Sequence, residues 1–125
     1  MRILVALILA CFITLPGNAA RDPATAARQT NLELLVFEAE ACRYCAAFRI
    51  DTAPRYGSSP AAARAPLRFV DIANVDIDTI GLQGRLTMLP TVVLMRDGRE
   101  IDRITGYTGS EAFLTLVHRL LRRAE

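Results

Sequence analysis

The 125 residues of this chain, 52% of them hydrophobic, are enough for one domain with a real core and no more. Its 15 basic residues nearly balance its 13 acidic ones and are scattered rather than clustered, so nothing indicates a nucleic-acid partner. With three cysteines, the chain also lacks the cysteine density of a disulfide-stapled scaffold.

Residues 1–19 have the pattern of a secretory signal peptide. Arg2 supplies a positive start, residues 3–15 are almost wholly apolar, and Gly17 and Ala19 provide the small residues of a cleavage site. We predict cleavage after Ala19, with the next bond as the alternative, and export to a bacterial periplasm.

Two alternatives to a cleaved signal remain open. Residues 3–15 are too short to span a bilayer comfortably, which disfavours an uncleaved anchor. Lipid attachment at Cys11 is disfavoured by Leu9, which is bulky where a small residue is usual. Cleavage would remove Cys11 and leave Cys42 and Cys45, so the mature protein would form a single internal disulfide.

After the predicted signal, residues 20–30 are small and polar and predict a short lead-in to a domain covering residues 31–123. Residues 31–38 form an apolar run typical of a buried strand. A helix should follow at the cysteine pair and run to about Tyr56, kinked or ended by Pro54.

The second half of the domain alternates strands and helices. Residues 61–66 predict a weakly helical connector. The elements expected next are a strand at 67–72, a short helix at 76–83, strands at 91–96 and 99–105, and a closing amphipathic helix from Ser110. Asp97 and Gly98 join the last two strands with a strong hairpin signal.

The predicted order is therefore β-α-β-α-β-β-α, an α/β fold. The first strands enclose helical crossovers and should be parallel, whereas the last two should form an antiparallel hairpin. We expect a central mixed four-stranded sheet flanked by helices.

Cys42 and Cys45 carry the chemistry of the chain. They lie where the first strand turns into a helix, so the first sulfur is near a helix N-terminus that favours a thiolate. The two-residue spacer allows a small disulfide ring, which is suited to thiol–disulfide exchange. An inert stapling disulfide is the less favoured interpretation, because so short a ring removes little unfolded-state entropy.

A metal site is a further alternative. Zinc would need two ligands beyond Cys42 and Cys45, and the single histidine, His118, is predicted at the surface of the closing helix. Copper(I) bound by the two thiolates remains open, because soft ligands suit it. We predict no resident metal and no cofactor other than the cysteine pair.

Four features of residues 31–121 are typical of one family: the Cys42-x-x-Cys45 motif, the sequence Leu89-Pro90-Thr91 at the third strand, the hairpin and the closing helix. On these features the chain resembles the thioredoxin-like superfamily, specifically its small periplasmic members of the SoxS type, which are associated with bacterial sulfur oxidation. The resemblance implies a minimal thioredoxin fold. It also implies a cis Pro90 against the cysteines and substrate binding by Leu89, Pro90 and Thr91, with Leu89 offering backbone hydrogen bonds.

The resemblance also assigns roles within the motif. Cys42 would be the nucleophile and Cys45 the resolving cysteine. Arg43 should lower the pKa of the Cys42 thiol further. Tyr44 replaces the usual proline and is expected to cover the sulfurs and contact partner chains.

The chain departs from typical thioredoxins in three respects. It has no tryptophan, and we expect the first strand and helix of a full thioredoxin to be absent. Val36 occupies the position of a buried acid that assists proton transfer at the second cysteine. Glu38 and Glu40 are candidate proton relays acting through water, and the alternative is that they are ordinary carboxylates of the strand end and the loop.

The function predicted is an exported thiol–disulfide oxidoreductase that reduces disulfides of periplasmic proteins. It would need a membrane or periplasmic electron donor, and we expect a monomer. The alternatives are a thiol oxidase or isomerase, or a non-catalytic module that binds a client or copper(I) in the same groove.

Overall fold

The computed structural model describes residues 31–125. The predicted signal peptide and lead-in, residues 1–30, lie outside the described residues. Within residues 31–125, no helix is both long enough and apolar enough to cross a membrane.

The described chain follows the predicted order of strands closely. In sequence, the elements are β1 (Leu32–Glu38), α1 (Arg43–Ala47), a π-helical turn (Phe48–Thr52), α2 (Ala53–Gly57), α3 (Pro60–Arg64), β2 (Leu67–Asp71), a 3₁₀ turn (Ile77–Thr79), β3 (Thr91–Arg96), β4 (Arg99–Thr105) and α4 (Ser110–Arg123).

The four strands form one mixed sheet in the order β2-β1-β3-β4. β1 pairs with β2 in parallel, and it pairs with β3 antiparallel, as β3 does with β4. The predicted fold class is confirmed. β1 is a central strand, which explains its continuous apolar run, because both of its faces are covered.

Alternate residues of β1 face two separate hydrophobic clusters. Leu34 and Val36 point to the side covered by α4 and the helix that starts at the cysteine pair. Leu35 and Phe37 point to the opposite side, where residues 72–89 lie across the sheet. The period-two alternation of a strand thus supplies both cores.

Phe48 is the aromatic centre of the larger cluster. Its ring meets the rings of Phe69, Tyr107 and Phe113 edge to face, at centroid separations of 6.2, 5.5 and 4.9 Å. Edge-to-face pairs add to the free energy gained from burial. Phe48 therefore ties the helix of the cysteine pair to β2, to α4 and to the segment between β4 and α4.

The helix that starts at the cysteine pair ends at Gly57, within a residue of the predicted end. Pro54 lies in the first turn of α2 and does not stop the helix. Because proline has no N–H to donate to a carbonyl one turn earlier, the regular α-helical hydrogen bonds are interrupted at Pro54. Just before it, residues Phe48–Thr52 form a wider π-helical turn, in which the Ala53 amide donates to the Phe48 carbonyl.

The predicted helix at 76–83 is wrong. The segment has a single 3₁₀ turn, Ile77–Thr79, capped when the Asp76 carboxylate accepts from the Asp78 amide. Gly81 then adopts a φ of +78°, which leaves the helical region. Local capping and this glycine outweigh the weak helical pattern of the sequence.

A buried ion pair on β4 satisfies the backbone of this irregular segment. Glu100 is 4% exposed and is paired with Arg103. The Glu100 carboxylate accepts from the Gln83 amide at 2.6 Å, and the Arg103 guanidinium donates to the carbonyls of Gly84 and Arg85. β4 thus satisfies backbone groups at the end of this segment, at residues 83–85.

Tyr56 gives the helical side of the domain a pH-dependent contribution to stability. Its buried hydroxyl donates to the carbonyls of Ala61 and Ala65, and burial raises its pKa to about 12. Because the folded pKa lies above the unfolded one, this stabilisation is complete below about pH 10 and is lost as the pH rises towards 12. The loss should amount to about 2–3 kcal/mol.

We expect Tyr56→Phe to cost about 1–2 kcal/mol at neutral pH, because the Ala65 carbonyl loses the hydroxyl that donates to it, whereas the Ala61 carbonyl keeps the Ala65 amide. The variant should also show a shallower loss of stability above pH 10 than the unmodified protein. Urea denaturation at a series of pH values measures both effects. An identical alkaline slope in the two proteins would contradict the assignment.

Candidate active site

The cysteine pair lies at the carboxyl end of the central strand. After β1, Ala41 adopts a φ of +60°, and the Cys42 amide donates to the Ala39 carbonyl at 3.3 Å. This tight turn places Cys42 as the residue that caps α1. Its Sγ accepts a hydrogen bond from the Cys45 amide at 3.2 Å.

The capping position favours negative charge on Cys42. A sulfur that accepts from the first turn of a helix takes the place of the oxygen of a serine or aspartate cap. The N-terminal amides and the helix dipole stabilise an anion there. Cys42 is therefore the cysteine whose thiolate the backbone stabilises directly.

The two cysteines form a disulfide but differ in exposure. Their Cα atoms are 5.2 Å apart, and the Cys42–Cys45 bond is closed. Cys42 is partly exposed, whereas Cys45 is 3% exposed. The sulfur that an external partner can reach is that of Cys42.

The two residues inside the motif contact each other. The Arg43 guanidinium lies 4.7 Å from the centroid of the Tyr44 ring and donates to the Tyr44 hydroxyl at 2.8 Å. Both side chains are exposed, Tyr44 to 49%. Together they present an aromatic and cationic surface beside Cys42.

The Leu89-Pro90-Thr91 segment lies at the same end of the sheet. Thr91 pairs with Phe37 in the β1–β3 ladder, next to the end of β1 from which the chain leads to Cys42. The Leu89–Pro90 peptide bond is cis, and Pro90 and Thr91 are buried. The structure thus brings the two predicted segments, residues 42–45 and 89–91, to one end of the sheet.

Met88 adds an apolar side chain to this end of the molecule that the sequence analysis missed. It is 57% exposed, and its sulfur packs so closely on Gly106 that a Cβ there would lie 2.7 Å from it. The Gly106 amide donates to the Pro90 carbonyl at 2.9 Å. The glycine directly after the fourth strand was the available signal for this close approach.

A hydroxyl cluster joins the segment after β4 to the helix of the cysteine pair. The buried Thr52 hydroxyl is 2.7 Å from both the Tyr107 hydroxyl and the Ser110 Oγ. These contacts link the π-helical turn to the start of α4. No local pattern indicates this cluster, because Thr52 is more than fifty residues from both Tyr107 and Ser110.

A cleft of about 520 Å³ opens beside the disulfide, on the side of β2. It is lined by both cysteines and by charged side chains of the β1 end, the helix and the β2 end, namely Glu38, Glu40, Arg43, Arg49 and Asp71. Of the two predicted relay residues, Glu40 is exposed, and the side chain of Glu38 is 15% exposed.

Arg49 holds Glu38 in place. Its Nε donates to Glu38 Oε2 at 2.8 Å, and its Nη2 donates to Glu38 Oε1. The guanidinium also stacks on the Phe69 ring, 3.7 Å from the centroid. The hydrogen bond to Glu38 raises the pKa of Arg49. The sequence analysis missed Arg49, although its position one helical turn after Cys45 was a usable signal.

His118 is exposed on α4 and does not line the cleft beside the cysteine pair, where the alternative zinc site would lie. In the described part of the chain, no group of three or more histidine, cysteine, aspartate or glutamate residues is placed to hold a metal ion.

A family model described as a thioredoxin-like domain matches residues 20–121. The chain belongs to the thioredoxin-like family. Among curated proteins, none matches this chain.

Solved structures support the same family. The periplasmic thioredoxin SoxS from Paracoccus pantotrophus, in its reduced form, is 33% identical, with 75% of this chain and 99% of that chain covered and a TM-score of 0.70. Thioredoxins of Malassezia sympodialis and Plasmodium falciparum share the fold at 18% and 24% identity, with TM-scores of 0.57 and 0.54. These two matches cover 71% and 81% of this chain and 77% and 92% of the other chains.

The predicted membership of the thioredoxin-like superfamily and the resemblance to SoxS are confirmed. With a disulfide between Cys42 and Cys45 on this fold, the protein is a thiol–disulfide oxidoreductase. The thioredoxin-like fold supports protein thiols and disulfides as the substrates. Val36 is fully buried in β1, so the position at which typical thioredoxins carry an acid is apolar in this member of the family.

Proposed function

We propose that this thioredoxin-like protein is an exported reductase that transfers two electrons from its cysteine pair to disulfides of protein partners. The observation that carries the proposal is the asymmetry of the pair. Cys42 is accessible and accepts a backbone hydrogen bond at a helix N-terminus, whereas Cys45 is buried behind it. A thiol–disulfide exchange enzyme needs this arrangement, because one sulfur must attack the partner disulfide and the other must remain free to resolve the mixed disulfide.

The reaction proceeds in two steps, each of them the attack of a thiolate on a disulfide. In the reduced protein, the Cys42 thiolate attacks one sulfur of the partner disulfide, and the partner's other sulfur leaves as a thiolate. Cys45, deprotonated, then attacks the Cys42 sulfur of the mixed disulfide and releases the second partner thiolate. The pair is oxidised to the Cys42–Cys45 disulfide, and the partner is reduced to a dithiol. An external dithiol donor returns the pair to its reduced form.

The partner chain would bind where the two active-site segments meet. Leu89 and Thr91 flank the cis Pro90, and the Leu89 backbone offers hydrogen bonds to an extended chain. Met88 and Tyr44 supply apolar contacts on either side, both of them exposed. Arg43 supplies positive charge that favours the Cys42 thiolate.

Two observations support export. The predicted signal peptide at residues 1–19 directs the protein out of the cytoplasm, and SoxS, to which this chain is similar, is a periplasmic thioredoxin. In an oxidising compartment a reductase needs a dedicated membrane or periplasmic donor of electrons. We propose that the protein works as a monomer with no cofactor other than the cysteine pair.

An activity assay combined with fractionation tests the proposal. Reduced protein, mixed with a disulfide-bonded substrate protein, should generate two substrate thiols for each Cys42–Cys45 disulfide that forms. In the source bacterium the protein should appear in the periplasmic fraction, shortened at its N-terminus. If the oxidised protein instead introduces disulfides into a reduced substrate and the reduced protein fails to remove them, the direction is an oxidase's. Recovery in the cytoplasm at full length would refute export.

A further inference from the structure

The ion pair of Glu38 and Arg49 lies where the second step of the reaction needs a base. Cys45 and Arg49 are one helical turn apart and therefore share a face of the helix. Two nitrogens of Arg49 donate hydrogen bonds to the Glu38 carboxylate, and the guanidinium of Arg49 stacks on the Phe69 ring. Glu38, Arg49 and both sulfurs line the same cleft.

Cys45 needs such a base because it is buried. Only a thiolate attacks a disulfide, so the Cys45 thiol must lose its proton before it can resolve the mixed disulfide. At 3% exposure it has little contact with bulk water that could accept the proton. Val36, behind it in β1, is apolar and cannot accept the proton either. The cleft is the open space that reaches Cys45.

We propose that Glu38 is the proton acceptor for Cys45 and that Arg49 is the residue that positions it. The Cys45 proton passes through water in the cleft to the Glu38 carboxylate, and the resulting thiolate attacks the Cys42 sulfur. The cleft, at about 520 Å³, has ample room for the water, which occupies roughly 30 Å³ in the liquid. When the pair is later reduced, the proton returns by the same route. This inference rests on the proposed exchange function.

The other charged groups of the cleft are less suited to this role. Asp71, at the end of β2, is engaged by the Ala73 amide and the Asn74 side chain. Arg43 contacts Tyr44, and as a cation it accepts no proton. Glu40 is exposed on the turn, whereas Glu38 is mostly covered and held in one orientation. An acceptor held in place transfers a proton more efficiently than one that moves freely.

The two steps can be measured separately with 5,5′-dithiobis(2-nitrobenzoate) as the probe. Mixed in equal amount with the reduced Cys11→Ser chain, in which Cys42 and Cys45 are the remaining thiols, it releases one coloured thiolate when Cys42 attacks and a second when Cys45 resolves the mixed disulfide. We expect Glu38→Gln to slow the second phase about 100-fold at neutral pH and to leave the first within twofold. The defect should shrink as the pH rises, because hydroxide then removes the proton.

The positioning role of Arg49 has its own test. Arg49→Met should slow the second phase, and Arg49→Lys should restore part of the rate, because it keeps a cation beside Glu38. The matched control is Arg55→Gln, which breaks the exposed ion pair of Arg55 with Glu111 further along the same helical segment. This control should alter neither phase.

Three outcomes would overturn the inference. One is a second phase in Glu38→Gln within twofold of the unmodified protein. Another is a defect in Glu40→Gln that Glu38→Gln lacks. The third is an equal slowing at every pH, which would indicate a structural role. If the unmodified protein itself shows no second phase, the exchange function fails, and that result is distinct from failure of the relay alone.

Discussion

Cys42→Ser should reduce disulfide-reductase turnover by at least about 10³-fold, the largest effect expected of any single substitution in this protein. The serine oxygen cannot form or exchange a disulfide, and no other sulfur of the pair is accessible, because Cys45 is buried. Cys45→Ser should abolish turnover for a different reason. Cys42 still attacks, but the mixed disulfide then persists because nothing resolves it.

The difference between the two variants is the decisive measurement. Non-reducing gel electrophoresis with a disulfide-bonded substrate protein should show a covalent complex with Cys45→Ser and none with Cys42→Ser. Cys11→Ser is the matched control, since Cys11 lies in the predicted signal peptide and should have no effect on either result. A covalent complex with Cys42→Ser would contradict the assigned order of attack.

Phe48→Ala should destabilise the domain by about 3–5 kcal/mol. Phe48 is 1% exposed and contacts three other aromatic rings, so truncation leaves a cavity between the sheet and α4. A loss of this size is a large part of the stability of a small domain. Because the helix of the cysteine pair packs through Phe48, activity should fall at temperatures where the variant unfolds.

Urea denaturation of the oxidised protein measures this cost. Ile50→Ala is the matched control, since Ile50 is two residues away in the same π-helical turn and is 74% exposed. The control should change the free energy of unfolding by no more than about 0.5 kcal/mol. Equal effects of the two substitutions would refute the assignment of Phe48 to the centre of the core.

The strand arrangement of the fold was predictable because its signals are local and strong. The apolar run of β1 indicates a central strand, and the Asp97-Gly98 turn fixes the β3–β4 hairpin. The helix predicted at 76–83 failed because the Asp76 cap favours a single 3₁₀ turn and Gly81 then leaves the helical region. Glu100 and Arg103 of β4 bind the backbone of residues 83–85, and the local sequence does not indicate these distant partners.

The active site was likewise predictable in part. The placement of Cys42 at a helix start follows from the local sequence alone, and the structure adds the hydrogen bond to its sulfur. The pairing of Glu38 with Arg49 depends on how the helix packs on Phe69, which sequence spacing does not reveal. Met88 was missed for a similar reason, because its exposure depends on the packing against Gly106.

The equilibrium reduction potential of the Cys42–Cys45 pair tests the central claim most directly. Equilibration of the purified protein with dithiothreitol or glutathione buffers gives the value. We predict a potential near the figure of about −270 mV found for thioredoxin, as a reductase requires. A value near about −120 mV, the range of strong disulfide-forming oxidants, would contradict the proposed direction, and a pair that does not cycle at all would contradict the exchange function.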